Sequence, residues 1–116
     1  MVDLSGRPWP EVDLGLERVR DVLERLDLPV AEHVIIVAGT NGKGSVASTL
    51  ARILTLAGNR VGLYTSPHLV HFNERIRIDN VPIDDSAVVR SYEAVKRVPP
   101  STREPTFFEL ATAMAL

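Results

Sequence analysis

The sequence contains no cysteine, so it has no disulfide bond, no thiol nucleophile and no cysteine-ligated zinc site. Its longest apolar runs are far too short to span a bilayer, and the first ten residues lack the apolar core of a secretory signal. Neither sign of charge dominates, since 13 Lys and Arg residues balance 15 Asp and Glu residues. The net charge of −2 therefore gives no general attraction to nucleic acid or to an anionic membrane. We expect one small domain of a cytoplasmic, monomeric protein.

The most informative stretch of the chain is an apolar run that leads into a glycine-rich turn. Residues 34–38 show no polar alternation, which predicts a strand buried on both faces of a parallel sheet. The turn, called here the glycine loop (residues 39–45), reads Gly39-Thr40-Asn41-Gly42-Lys43-Gly44-Ser45. A helix is predicted from Lys43 to Ala57. Strand, glycines, lysine and helix start together form a phosphate cradle, which predicts the triphosphate site of an ATP-using enzyme.

The glycine loop departs from the strict phosphate-loop pattern G-x-x-x-x-G-K-[ST]. It is shorter at its front, and Gly44 follows the lysine, so the hydroxyl of Ser45 comes one residue late. A small phosphate-loop kinase is disfavoured because it usually has the hydroxyl directly after the lysine. A plain strand-to-helix turn with an incidental lysine explains three glycines in six residues poorly.

The remaining elements follow from periodicity and turn residues. An amphipathic helix is predicted over residues 12–26, with its charged residues on a solvated face, and a short strand over residues 61–64. Strand, helix and strand make a right-handed βαβ unit, whose two strands should be parallel. Asp79-Asn80 predicts a hairpin turn, with Pro82 on an edge strand. Two further helices are predicted, one capped by residues 84–86 and one that begins near Thr106.

A second loop (residues 65–69) follows the second predicted strand and reads Thr65-Ser66-Pro67-His68-Leu69. The carboxyl ends of parallel strands open on one edge, so this loop should lie beside the glycine loop. Ser66 and His68 are therefore candidate site residues, and Ser66 can offer Mg²⁺ the hydroxyl that the glycine loop lacks after Lys43. The alternative is an ordinary proline-containing loop with an exposed imidazole. Arg75 and Arg77 share one strand face, where they are either hairpin surface or contacts to an anionic substrate.

The last predicted helix is apolar and reaches Leu116 without a cap, a basic last turn or a glycine. That is an unusual end for a natural helix, which predicts that the chain is part of a longer domain. A complete minimal domain is the alternative.

Taken together, these motifs resemble those of folylpolyglutamate synthase and the bifunctional dihydrofolate synthase, within the wider Mur-ligase-like superfamily. The resemblance covers nearly the whole chain. Beyond the glycine loop and the second loop, it rests on residues 12–18, on Asn73-Glu74-Arg75-Ile76-Arg77 and on Thr106-Phe107-Phe108-Glu109. The lysine followed by Gly-Ser, together with Ser-Pro-His-Leu, favours the folate branch over the peptidoglycan branch.

The resemblance implies an α/β fold, the N-terminal portion of a truncated Mur-ligase-like ATPase domain with a parallel βαβ core, a hairpin and flanking helices. It implies an ATP-dependent amide ligase that adds L-glutamate to a folate or dihydropteroate carboxylate through an acyl phosphate. Its cofactors would be ATP and Mg²⁺. The ATP-binding residues would be Gly39, Thr40, Asn41, Gly42, Lys43, Gly44 and Ser45, of which Lys43 is also catalytic. Ser66 would ligate the metal, and the substrate-binding residues would be Val12, Asp13, Leu14, His68, Thr106, Phe107, Phe108 and Glu109.

Much of the family's machinery is not within the 116 residues. A Glu-x-Gly-[hydrophobic]-Gly-Gly segment with a further magnesium ligand, a metal-binding histidine, the modified lysine and the C-terminal glutamate-presenting domain would all follow Leu116. We therefore expect the chain to be inactive by itself. The other interpretations are a stand-alone nucleotide-binding module without catalysis and a peptidoglycan-precursor ligase of the Mur type.

Overall fold

The computed structural model describes residues 17–27, 31–99 and 105–116. It is a mixed α/β structure with four α-helices and three short strands in these ranges. In chain order they are α1 (Glu17–Leu26), α2 (Lys43–Leu56), β1 (Gly62–Tyr64), β2 (Ile76–Ile78), β3 (Val81–Pro82), α3 (Asp85–Lys96) and α4 (Phe107–Ala115). A single 3₁₀ turn, Phe72–Arg75, leads into β2. No helix in the described ranges is long and apolar enough to cross a membrane.

The helix ends follow the capping residues that the sequence indicates. The Asp84 carboxylate accepts a hydrogen bond from the Ala87 N–H at 2.7 Å, as predicted for the start of α3. Thr106 and Glu109 form a reciprocal capping box at the start of α4. At the end of α2, Gly58 has a φ of 89°, the left-handed conformation that favours glycine. The predicted cap at Asp84, the start of a helix near Thr106 and the end of α2 close to Ala57 are confirmed.

The sheet is antiparallel, with strand order β1-β2-β3. Asp79 and Asn80 have φ values of 50° and 70°, the signature of the two-residue hairpin turn predicted from their sequence. Pro82 lies on the edge strand, where its missing N–H costs no ladder bond. The described residues do not show the predicted parallel βαβ unit: β1 takes β2 as its antiparallel neighbour, with Leu63 opposite Arg77.

The buried strand predicted over residues 34–38 is not observed either. They form no strand in the described part of the chain, and Ile36 is 86% exposed. A strand needs a neighbour to satisfy its backbone N–H and C=O groups, and residues 34–38 pair with no strand of the described residues. The apolar residues 34–38 are therefore typical of a buried strand, but the described residues do not bury them.

The core lies between α1, α3 and α4, around Val22, Val95 and Ala113. The partly buried apolar residues packed against it are Val19, Leu23, Leu26, Leu110 and Met114. The amphipathic helix predicted over residues 12–26 is confirmed in its described part, where Val22 is the most buried residue at 3% exposure. The start of the first predicted helix lies outside the described residues.

The opposite side of the molecule is held by polar contacts. α2 meets the hairpin where the Asn80 amide donates to the Thr55 hydroxyl at 3.0 Å. β1 meets α4 where the hydroxyls of Tyr64 and Thr112 lie 3.3 Å apart. These contacts fix the sheet between α2 and α4, the two helices whose N-terminal residues carry the predicted ATP and substrate sites.

Candidate functional site

The glycine loop turns into α2 through two glycines with positive φ, 151° at Gly39 and 76° at Gly42. Gly42 is the N-cap residue of α2, and no side chain caps this helix start. The first N–H groups of a helix have no acceptor within the helix, so here they remain available to an anion. Side-chain-free residues at the turn let such a ligand approach the backbone closely.

The Lys43 side chain folds back over this turn. Its ammonium group donates to the carbonyl oxygens of Gly39 at 2.6 Å and Thr40 at 3.3 Å. A full positive charge therefore lies at the mouth of the loop, next to the positive end of the α2 dipole. All seven residues of the glycine loop are exposed. The charge and the open backbone N–H groups suit a phosphate group, which stays the predicted ligand.

The Glu74 carboxylate anchors the end of the second loop and the residues that follow it. The sequence analysis did not assign Glu74 this role. Glu74 accepts hydrogen bonds from the backbone N–H groups of Leu69 at 2.8 Å, Val70 at 2.9 Å and His71 at 2.8 Å. These bonds, led by the one from His71, lower the pKa of Glu74 to about 2. Ser66 lies just before this anchored segment, is exposed, and makes no hydrogen bond to a described residue. Its hydroxyl is therefore available to a ligand.

His68, Phe72, Arg75 and Phe107 form what we call the aromatic cluster. The Arg75 Nε–H donates to His68 Nδ1 at 2.7 Å. The Arg75 guanidinium carbon lies 5.3 Å from the ring centroid of Phe107 and 5.9 Å from that of Phe72. Phe72 meets His68 and Phe107 edge to face, with centroids 6.2 and 6.1 Å apart. The structure thus brings two predicted substrate-binding residues, His68 and Phe107, into one cluster.

Phe108 and Glu109 have different environments although they are neighbours. The Phe108 ring lies 6.4 Å from that of Tyr64 and is largely exposed. The Glu109 carboxylate is buried, where it accepts from the Thr106 N–H at 2.7 Å and from Arg18 Nε at 3.0 and 3.1 Å. Burial opposes ionisation of Glu109, but the bonds from Arg18 and Thr106 outweigh it and lower the pKa of the carboxyl.

The Arg18–Glu109 pair corrects the prediction that the charges of α1 form a solvated face. Both side chains are only 10% exposed, and the two residues are 91 positions apart in sequence. Glu109 therefore ties α4 to α1, and its oxygens are already engaged. Thr106 is likewise engaged in capping α4. Phe107 and Phe108, at 60% and 57% exposure, are the accessible members of this motif.

The structure does not join the two loops directly. No hydrogen bond, ion pair or ring contact between described residues links residues 65–69 to the glycine loop. Val12, Asp13 and Leu14 lie outside the described residues. Among the residues that are described, no three His, Asp or Glu side chains come close enough together to hold a metal ion. That the predicted site residues contact a ligand stays a prediction.

Sequence reasoning missed Arg18, Phe72 and Glu74 as residues that support the site. Phe72 directly precedes the motif Asn73-Glu74-Arg75-Ile76-Arg77 and Glu74 belongs to it, so their position was a usable signal. Arg18 gave no signal of its own, because its partner on α4 is distant in sequence.

Comparison with known proteins gives a consistent result. No protein-family model matches the chain. Dihydrofolate synthase/folylpolyglutamate synthase of Haemophilus influenzae is 46% identical over 115 residues, which cover 97% of this chain and 26% of that protein. The Escherichia coli protein of the same name is 45% identical over 109 residues, 90% of this chain and 25% of its own length.

Solved structures agree with the sequence comparison. The structure of E. coli FolC in complex with DHPP and ADP superposes with a TM-score of 0.84 and 42% identity, and covers 93% of this chain and 26% of its own. A bifunctional folylpolyglutamate synthase/dihydrofolate synthase with Mn, AMPPNP and L-glutamate bound gives a TM-score of 0.82 at 42% identity, over 90% of this chain and 26% of its own. The chain spans about a quarter of the length of these relatives. It is therefore a homologue of the dihydrofolate synthase/folylpolyglutamate synthase family that corresponds to one part of those proteins.

Proposed function

We propose that this chain supplies the nucleotide phosphate-binding part of an ATP-dependent ligase that joins L-glutamate to the carboxylate of folate or dihydropteroate. The observation that carries the proposal is the glycine loop at the uncapped start of α2, with the Lys43 ammonium 2.6 Å from the Gly39 carbonyl oxygen. Relatives of this chain were solved with ADP and DHPP, and with AMPPNP, Mn and L-glutamate. ATP and the two substrates are therefore its proposed ligands.

In the proposed reaction the substrate carboxylate takes the γ-phosphoryl group of ATP, and the glutamate amino group then displaces phosphate. Phosphoryl transfer depends mainly on alignment and charge neutralisation. Lys43 and the first N–H groups of α2 supply positive charge at the phosphates. Phe107 and Phe108 offer exposed ring faces to a flat pterin.

A divalent cation fits the chain only in part. The exposed Ser66 hydroxyl can supply one oxygen ligand, and the remaining ligands would be oxygens of the nucleotide and of water. When bound, Mg²⁺ would neutralise phosphate charge. The described residues contain no carboxylate cluster to complete the site, so the chain's own contribution would be this single oxygen.

We further infer that residues 34–38 become a paired strand of a parallel core when the remainder of a family-length domain is present. Their exposed apolar side chains and the match of this chain to a quarter of its relatives support this inference. The assignment of the chain to the N-terminal portion of the ATP-binding domain, its cytoplasmic location and its monomeric state stay predictions from the sequence.

Isothermal titration with Mg·ATP tests the phosphate site. We expect K43A to weaken binding roughly 10- to 100-fold, because one charge-assisted hydrogen bond contributes about 1.5–3 kcal/mol. K96A is the matched control, since Lys96 is the other lysine of the chain and lies at the far end of α3. Equal affinities of the wild-type chain, K43A and K96A would contradict the proposal.

The chain alone should bind Mg·ATP without ligating glutamate. The described residues bring no metal cluster to the loop and no contact between the two loops, which favours binding without catalysis for these 116 residues. Incorporation of labelled glutamate into dihydropteroate by the isolated chain would overturn this expectation.

A further inference from the structure

Arg75 is a buried cation without an acidic partner in the described part of the chain. It is 8% exposed, and the ion pairs of the described residues involve other side chains. A charged side chain is rarely buried to this extent unless it is paired. The rings of Phe72 and Phe107 offset part of the lost hydration through their π faces. Arg75 therefore lies beside His68 without an ion pair to a described carboxylate.

The hydrogen bond between Arg75 and His68 fixes the protonation pattern of the imidazole. A guanidinium group carries only donors and keeps its protons, so His68 Nδ1 must be the acceptor of the 2.7 Å bond. The ring proton of the neutral imidazole is therefore on Nε2. The edge-to-face contact with Phe72 holds the same ring in place.

The Nε2–H edge of His68 is free to meet a ligand. It donates to no described residue, and no side-chain nitrogen or oxygen in the described ranges is both buried and without a partner. Phe107, whose ring centroid lies 5.3 Å from the Arg75 guanidinium carbon, keeps 60% of its surface exposed. A hydrogen-bond donor, an unbalanced positive charge and an open ring face thus belong to one cluster.

We propose that Arg75 is a positioning residue that holds His68 as the Nε2–H tautomer, so that His68 donates a hydrogen bond to an anionic oxygen of an aromatic substrate packed against Phe107. The tautomer follows from the contacts of this chain alone. The identity of the acceptor, a carboxylate of a dihydropteroate-like molecule, rests on the proposed function.

Nitrogen-15 NMR of the histidine rings tests the first half of the proposal. The chain has three histidines, and at about pH 8.5 an ordinary imidazole is neutral. We expect His68 to show a single Nε2–H tautomer, with His33 and His71 as internal references. R75M should give a mixture of tautomers at His68, because the donor to Nδ1 is lost.

Two further variants separate positioning from folding. R75K keeps a positive donor on a flexible stem and should restore most of the Nε2–H tautomer. F107L removes a ring from the cluster but keeps the Arg75 donor, so the tautomer should not change. A mixed or Nδ1–H tautomer in the wild-type chain, or an R75M spectrum at His68 identical to that of wild type, would overturn the proposal.

Titration with dihydropteroate tests the second half. We expect the His68 Nε2 signal of the wild-type chain to shift on binding, and the shift to be at least several-fold smaller in R75M at equal ligand concentration. Binding of dihydropteroate with no change at His68, or no binding of dihydropteroate at all, would refute the donor role. If the wild-type chain did not bind Mg·ATP but its His68 kept the Nε2–H tautomer, the result would count against the proposed function. It would leave the positioning role of Arg75 standing.

Discussion

At the scale of single residues, the chain uses its charged side chains mostly to fix backbone and helix positions. Glu109 caps its own helix and pairs with Arg18, while Glu74 collects three backbone N–H groups from the segment after His68. The residues proposed to bind ligands are therefore held in position by these carboxylates and their partners. A substitution of one of these supporting residues should lower the free energy of unfolding, and its effect on ligand affinity should be smaller.

R18M tests the pair between α1 and α4. Removal of one partner leaves the buried Glu109 carboxylate uncompensated, which should lower the free energy of unfolding by about 3 kcal/mol. The double variant R18M/E109Q should recover part of this loss, because a neutral amide oxygen still accepts from the Thr106 N–H. The measurement is urea denaturation followed by circular dichroism.

The control for R18M is R97M, in an exposed pair with Glu93 whose charged atoms lie 3.8 Å apart. Exposed pairs of this kind contribute about 0.3–0.5 kcal/mol. If R18M were no more destabilising than R97M, the buried pair would not be an anchor of α4.

At the scale of elements, the segment from Ser66 to β2 depends on the carboxylate of Glu74. The pKa of Glu74 is about 2, below its ordinary value of 4.5, because the bound N–H groups favour the charged form. A carboxyl with a lowered folded-state pKa stabilises the fold fully above about pH 4.5, and this contribution is lost as the pH falls toward about 2. The order of the second loop should therefore decrease in acid.

E74Q tests this dependence. Its free energy of unfolding should lie below that of the wild-type chain at neutral pH, and the difference should shrink as the pH falls from about 4.5 to about 2. Chemical denaturation at a series of pH values measures both. E93Q, at an exposed position of α3, is the control. Its free energy of unfolding should change with pH in the same way as that of the wild-type chain. An E74Q difference that is constant with pH would contradict the assigned role.

Features that depend on neighbouring residues were predictable from the sequence, and features that depend on distant residues were not. The helix starts at Lys43, Asp85 and Phe107 and the turn at Asp79-Asn80 were predictable, because caps and turns depend on residues a few positions apart. The pairing of β1 with β2 and the Arg18–Glu109 bond were not, because they depend on partners distant in sequence. The candidate site divides in the same way: the glycine loop was visible locally, whereas the aromatic cluster needed the tertiary structure.

At the scale of the whole molecule, one group of exposed apolar residues belongs to elements outside the three-helix core. The core lies between α1, α3 and α4, while residues 34–36 and three residues of α2, Val46, Ile53 and Leu56, are exposed. Exposed apolar surface of this kind usually marks a face that contacts other protein. It is the surface on which we infer that the rest of a family-length domain packs.

V22A and I36S test this division. V22A removes apolar volume from the core, where Val22 is 3% exposed, and should cost about 2 kcal/mol of the free energy of unfolding. I36S changes a residue that is 86% exposed and should be neutral to within about 0.5 kcal/mol. Urea denaturation midpoints with unchanged slopes give both values. A large destabilisation by I36S would show that residues 34–38 are buried in the isolated chain.

The capping box of α4 has a consequence for enzyme engineering. Thr106 and Glu109 hold the helix start through hydrogen bonds, while the two aromatic residues between them extend from the same turn with most of their surface exposed. The four-residue motif is thus divided into a fixed frame and two exchangeable positions. A library that randomises Phe107 and Phe108 while retaining Thr106 and Glu109 should keep the start of α4 in place. It should vary the surface offered to a ring-shaped substrate and, at Phe107, also the ring that packs on Arg75.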